Sequence, residues 1–149
     1  MDPLSITASA IAVVTLATKT CNAFVKLRRA THSVPGRVHA IGNEVSDTLA
    51  VVSDVVTLLE ERNRLRLHLD SAHSCLPDVL AQLKLRLGEV KTAVETLEQK
   101  CVETRIALVR LREWSRAQDR LQGLQEAIKH QKGRLNVALG AVNSCVLLS

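Results

Sequence analysis

The sequence predicts an all-α fold, an antiparallel bundle of four to five helices with an apolar helix at its N-terminus. Three observations carry that prediction. The chain has 149 residues with 1 Phe, 1 Trp and no Tyr, so the aromatic residues that favour sheets are nearly missing while Leu, Val and Ala dominate. Apolar residues recur at spacings of three and four through four long stretches. Short breaks of turn residues separate these stretches, with no repeat, low-complexity tract or linker, which predicts one domain over residues 1–149.

The first helix is predicted from Pro3 to about Arg29. Asp2 is a favourable N-cap and Pro3 falls at the first helical position, where its missing N–H costs nothing. Met1 and Ile6 sit at the two staple positions. Ile6, Ala10, Val13, Ala17, Thr20, Phe24 and Leu27 trace a buried stripe, and Leu4, Ala8, Ile11 and Val14 make a second stripe beside it. The remaining face carries Ser5, Ser9 and Ala12, which are small rather than charged. No charge occurs between Asp2 and Lys19.

His32, Ser33, Pro35 and Gly36 break the chain, and a second helix follows to about Glu61 or a turn beyond. Its core stripe is Val38, Ile41, Val45, Leu49, Val52, Val56 and Leu59. Its polar face is acidic: every charge from Val38 to Glu61 is Asp or Glu (Glu44, Asp47, Asp54, Glu60 and Glu61). From Asn63 to Ser74 the chain alternates like a strand, Leu65, Leu67 and Leu69 against Arg64, Arg66 and His68. An isolated strand has no partner in a helical protein, so the stretch reads as the frayed end of helix two and a short helical connector.

Ser74 is the expected cap of helix three, with Pro77 in the first turn and Asp78 favourable to the dipole. Leu80, Leu83, Leu87, Val90, Val94, Leu97 and Cys101 form its stripe, to about Glu103. Arg105 to Trp114 is a helical mixture of basic and apolar residues. A final long helix covers at least Ala117 to Asn143, on Trp114, Ala117, Leu121, Leu124, Ile128, Gln131, Leu135, Ala138 and Val142. Gly123, Gly133 and Gly140 each weaken it by roughly 1 kcal/mol relative to Ala, and Gly140 is placed to help end it.

Catalytic constellations are lacking in the sequence. There is no phosphate-binding glycine loop, no nucleophile elbow and no paired helical carboxylates with a histidine, so an enzyme is not expected. His68, His73 and Cys75 are the only local cluster of metal-capable residues; their spacing matches no zinc pattern and lacks a fourth ligand, and no metal or cofactor is expected. Cys21, Cys75, Cys101 and Cys145 fall on or near apolar positions, which reads as reduced, buried cysteine in a cytosolic protein. The Arg-rich run Arg105 to Arg120 holds a single aromatic, Trp114, which is no stacking platform, so it reads as a solvated face and nucleic acid is not an expected partner. The net charge of +5 fits contact with an anionic surface without requiring it.

The opening helix is the sharp candidate. As a buried bundle helix it needs no further role. Yet Leu4, Ile6, Ile11, Val13, Val14 and Leu16 each favour membrane insertion by roughly 0.3–0.6 kcal/mol, about 2–4 kcal/mol in sum before the polar residues subtract. The sixteen uncharged residues span only about 24 Å of a hydrocarbon core about 30 Å thick, so one copy alone is marginal. Several copies packed on Ser5, Ala8, Ser9 and Ala12 would shield Ser5, Ser9 and Thr15 from lipid. Lys19, Lys26, Arg28 and Arg29 would stay at anionic headgroups, each attracted by about 1 kcal/mol.

The opening MDPLSITASAIAVVTLATKT resembles the start of the fungal N-terminal domain of STAND (NLR-like) proteins, the HeLo-like helical-bundle family. The likeness continues through Val34 to Leu59, Ser74-Cys75-Leu76, Leu111 to Trp114, Leu121 and Leu124, and His130 to Leu139. The resemblance implies a cell-death effector or signalling domain, of the kind acting in heterokaryon incompatibility and innate immunity. Such a domain is cytoplasmic at rest. On activation it oligomerises and uses its N-terminal helix to target and permeabilise the plasma membrane. The acting positions carried over are the apolar ones from Leu4 to Leu16. The implied partners are further copies of the chain, anionic lipids, and the nucleotide-binding and repeat domains that usually follow this domain. This chain ends at Ser149 with neither, as an excised domain or a short stand-alone member would. The alternative reading is a helical oligomerisation or adaptor-docking scaffold with no membrane activity.

Overall fold

The computed structural model describes residues 3–30, 36–65, 75–103 and 107–148. These form four α-helices: α1 (Pro3–Ala30), α2 (Gly36–Leu65), α3 (Leu76–Glu103) and α4 (Ala107–Leu148), with no strand among the described residues. The fold is thus all-α, and the N-terminal helix is the apolar one.

α1 packs on α2 and α3, and α4 packs on the same two. The helices therefore close a ring in the order α1, α2, α4, α3. Consecutive α2 and α3 face each other across the bundle, as do α1 and α4. The core is the sum of the predicted stripes. Ile6, Ala10, Val13, Ala17, Thr20, Phe24 and Leu27 of α1 are all buried, as are Leu80, Leu83, Leu87, Val90, Val94, Leu97 and Cys101 of α3. α2 contributes Val38, Ile41, Val45, Val52, Val55 and Leu59, with Leu49 and Val56 packed at its margin. α4 contributes Trp114, Leu121, Leu124, Ile128, Leu135 and Ala138. Burial of such side chains, each stabilising by about 1.5–3 kcal/mol, is what holds four long helices that propensity alone would leave marginal.

Three ion pairs fix how α4 lies against its neighbours. Arg134 Nη2 bonds Asp78 Oδ2 at 3.0 Å, tying the start of α3 to the later part of α4. Lys100 Nζ bonds Glu113 Oε2 at 3.0 Å, tying the end of α3 to the early part of α4. Lys132 Nζ lies 2.7 Å from Glu44 Oε1 on α2, a charge contact outside hydrogen-bond angles. α1 and α2 approach closely at Gly42, where an added Cβ would lie 3.2 Å from Arg28 Nη2 and 3.4 Å from the Phe24 ring. On the other side, the buried Thr20 hydroxyl donates to Leu16 O at 2.8 Å and reaches Leu87 O of α3 at 3.5 Å.

Several boundaries differ from the sequence expectation. The basic stretch before Trp114 is not a separate helix: α4 runs unbroken from Ala107. Gly140 does not end it, for the helix continues to Leu148. α3 starts at Leu76, and the Cys75 carbonyl accepts the Val79 N–H at 3.0 Å; the expected Ser74 cap lies outside the described residues, as do the Asp2 cap and the turn at 31–35. The strand-like stretch is helical as far as Leu65, and its remainder, with His68 and His73, is outside the described residues.

Gly123 and Gly133 sit inside α4 with nothing within 4 Å of where a Cβ would be. Gly123→Ala and Gly133→Ala are each expected to stabilise the protein by roughly 1 kcal/mol, since Ala adds helix propensity and narrows the unfolded ensemble at no steric cost. Urea denaturation of the two variants checks this.

Candidate functional site

α1 begins its path along the outside of the ring at Pro3 and holds two faces with different chemistry. The inner stripe locks it between α2 and α3. The second stripe, beside the buried one, lies largely outside the core: Ala8 is exposed and Ile11 is 45 % exposed, while Val14 is half-buried at the core margin. The reason is geometric. α1 has only two neighbours, so a helix that is apolar almost all round must leave one apolar face to solvent. Ile11, Thr18 and Val25, seven residues apart, mark that outer line, and Val25 is 40 % exposed.

The predicted lipid-facing residues are therefore divided. Ile6 and Val13 are core residues at rest; Val14 and Leu16 pack partly against the core; Ile11 is already outside. The side chain of Leu4 lies outside the described residues. The structure gathers the four basic residues on the second half of α1 with no acid on the helix. Lys19, Lys26, Arg28 and Arg29 are all exposed, and none closes an ion pair among the described residues. Lys19 and Lys26 border a surface groove whose other wall carries Glu98 and Glu95, the latter held by Lys91 at 2.9 Å.

By sequence Thr15 counts as a polar cost to insertion and Thr20 as a member of the buried stripe. In the structure Thr15 donates to Ile11 O at 3.0 Å, Thr18 to Val14 O at 2.8 Å and Thr20 to Leu16 O at 2.8 Å. Each hydroxyl proton is satisfied inside the helix, so the exposed Thr15 and Thr18 present methyl groups outward, while Thr20 lies on the buried face. The signal was available in the sequence, because a mid-helix threonine has the carbonyl four residues back within reach. α1 is the one described helix long and apolar enough to cross a membrane, and only a third of its most apolar window is buried.

The other candidates carry less. Trp114 is a core residue, as expected, and Arg112, Arg116 and Arg120 lie exposed around it on α4. Glu113 pairs chiefly across to Lys100 and only loosely, at 4.0 Å, with Arg116. The described residues hold no group of three metal-capable side chains. Cys75 is exposed at the head of α3, contrary to the expectation of buried thiols, because it precedes the first turn of that helix and no described helix covers it. Cys101 is buried and Cys21 half-buried, where burial pushes its thiol above the usual range and Arg28 only partly offsets this. In a Cys145→Ala background, a thiol-reactive chromophore is expected to label Cys75 rapidly, Cys21 slowly and Cys101 only on unfolding. Peptide mapping after timed labelling checks the order.

Comparison with protein families, with curated proteins and with solved structures finds no match.

Proposed function

We propose that this protein is a membrane-active effector of the cell-death type, in which α1 is held in the bundle at rest and delivered to anionic membrane when several copies associate. The bundle is read as antiparallel, supported by the two crossed ion pairs of α3 with α4, Asp78–Arg134 and Lys100–Glu113. The observation that carries the functional reading is the self-satisfied outer face of α1. Thr15 and Thr18 on that face, and Thr20 on the buried one, bond their own helix, so passage into lipid strands none of these three donors. Ile11 and Val25 already face outward, and the basic residues cluster at one end, where they meet headgroups while the apolar part enters.

Magnitudes decide that insertion is conditional. Withdrawing Ile6, Val13, Phe24 and Leu27 from the core forfeits roughly 6–12 kcal/mol at about 1.5–3 kcal/mol each. Insertion of one copy returns about 2–4 kcal/mol. A lone α1 therefore stays in the bundle, and association of several copies must supply the difference.

Dye release from anionic liposomes tests the proposal. Folded wild-type protein, brought to oligomerise by fusion to a chemically inducible dimerisation tag, is expected to empty the vesicles, and Ile11→Asp to remove most of that activity while folding normally. Intact vesicles after forced association would sink the membrane reading and leave the scaffold alternative. A folded Ile11→Asp that leaks like wild type would take α1 out of the mechanism.

A further inference from the structure

The outer faces of α1 and α2 carry opposite charge and repeat at the same interval. On α2 the exposed charges from Val38 to Glu61 are Asp47, Asp54, Glu60 and Glu61, with no Lys or Arg among them. None of the four closes an ion pair among the described residues; the remaining acid of the helix, Glu44, is buried against Lys132. On α1 the charges are Lys19, Lys26, Arg28 and Arg29, all exposed, with no acid from Pro3 to Ala30.

Lys19 and Lys26 are seven residues apart, as are Asp47 and Asp54. Seven residues are two helical turns, about 10.5 Å, so a pair formed at one end of such a contact brings the second pair into register. The residues between the charges are compatible with close approach: Asn22 and the exposed Val25 on α1, and the exposed Ala50 on α2.

We propose that a second copy of this chain docks here, the α1 outer face of one copy lying along the α2 outer face of the next. Because a single α1–α2 contact joins two different surfaces, it is heterologous: each growing assembly keeps one free basic face at one end and one free acidic face at the other, and assembly continues until a ring closes or a filament grows. The pairs are exposed, so the association is weak and electrostatic, and it responds to salt. It needs no lipid and stands whether or not α1 enters a membrane. Glu98, across the groove from Lys19 and Lys26, is the competing acid within one copy, and it closes no ion pair with either.

Sedimentation velocity of the lipid-free chain over a concentration series tests the proposal. At about 0.01 M salt, where the Debye length is about 30 Å, species larger than the monomer are expected to grow with concentration; at about 1 M, where it is about 3 Å, they should dissolve. Lys19→Glu with Lys26→Glu, and separately Asp47→Lys with Asp54→Lys, should each weaken association by about tenfold or more, because two attractions become two repulsions. Mixing the two charge-reversed proteins, or combining all four changes in one chain, should restore it. A wild-type chain that stays monomeric at low salt overturns the proposal. So does assembly indifferent to salt, or failure of the fourfold exchange to restore association while circular dichroism shows native helix. Dye release under tag-forced dimerisation separates this result from the membrane reading, since the tag then supplies the association and Asp47→Lys with Asp54→Lys leaves α1 unchanged.

Discussion

Val13→Asp is expected to cost more than about 4 kcal/mol, while Ile11→Asp, two residues earlier on the same helix, is expected to cost about 1 kcal/mol or less. Val13 is 1 % exposed, on the α1 face that fills the ring between α2 and α3. An ionised carboxylate there has no cation within the core to meet it and must either be protonated or drag the helix out. Since small domains hold only about 5–15 kcal/mol in total, the loss is a large fraction of the whole. Ile11 points the other way and its aspartate remains in water. The single tryptophan makes the measurement informative. Trp114 is buried on α4, across the bundle from α1, so it reports on the part of the core that α1 does not line. Urea titrations of Val13→Asp followed by helical circular dichroism and by Trp114 fluorescence should shift together to lower urea, because α2 and α3 touch each other slightly at most and α1 closes the ring between them. Coincidence of the Val13→Asp and wild-type midpoints would show that α1 is not a structural member of the core.

The contrast between these two neighbours also marks where sequence reasoning stops. The inner stripe of α1 was legible because spacings of three and four in Ile6, Ala10, Val13, Ala17, Thr20, Phe24 and Leu27 state a face whatever packs against it. The stripe of α3 was legible for the same reason, and all seven of its residues are buried. Where the second stripe of α1 lies was not legible, because periodicity names apolar faces but not how many neighbours a helix has. In a ring of four each helix has two, and Ile11 is left outside. Ring order was equally hidden: nothing in local sequence says that α2 packs on α4 rather than on α3. Helix ends failed where a side chain was asked to decide alone. Gly140 is weak helix former enough to end a helix, yet α4 runs through it, because tertiary context overrides a cost of about 1 kcal/mol. The basic residues of the candidate site were legible as a charge run; that Lys19 and Lys26 face Glu95 and Glu98 of the neighbouring α3 without closing a described ion pair was not, since it depends on which residues of α3 lie opposite.

Lys132→Met is expected to destabilise the fold by about 3–5 kcal/mol, more than Glu44→Leu, although the two residues form one pair. The asymmetry follows from exposure. The Glu44 side chain is 8 % exposed, and its Oε1 has the Lys132 ammonium at 2.7 Å and no hydrogen-bond donor among the described residues. Removing Lys132 leaves a desolvated carboxylate with its charge uncompensated. The Lys132 side chain is 23 % exposed, and on losing Glu44 its long stem can carry the ammonium out to water while the methylenes stay packed. Replacing both at once by Leu and Met removes the desolvation cost with the attraction, so the double variant should return to within about 1 kcal/mol of wild type or exceed it. Urea unfolding of the two single variants and the double one gives the order. A Lys132→Met protein as stable as wild type would mean that Glu44 does not depend on that cation. The expected order, with recovery in the double variant, would identify the pair as a device for alignment rather than net stability. It is the one described ion pair between α2 and α4, which are not consecutive in the chain, so it acts on the contact that local sequence specifies least.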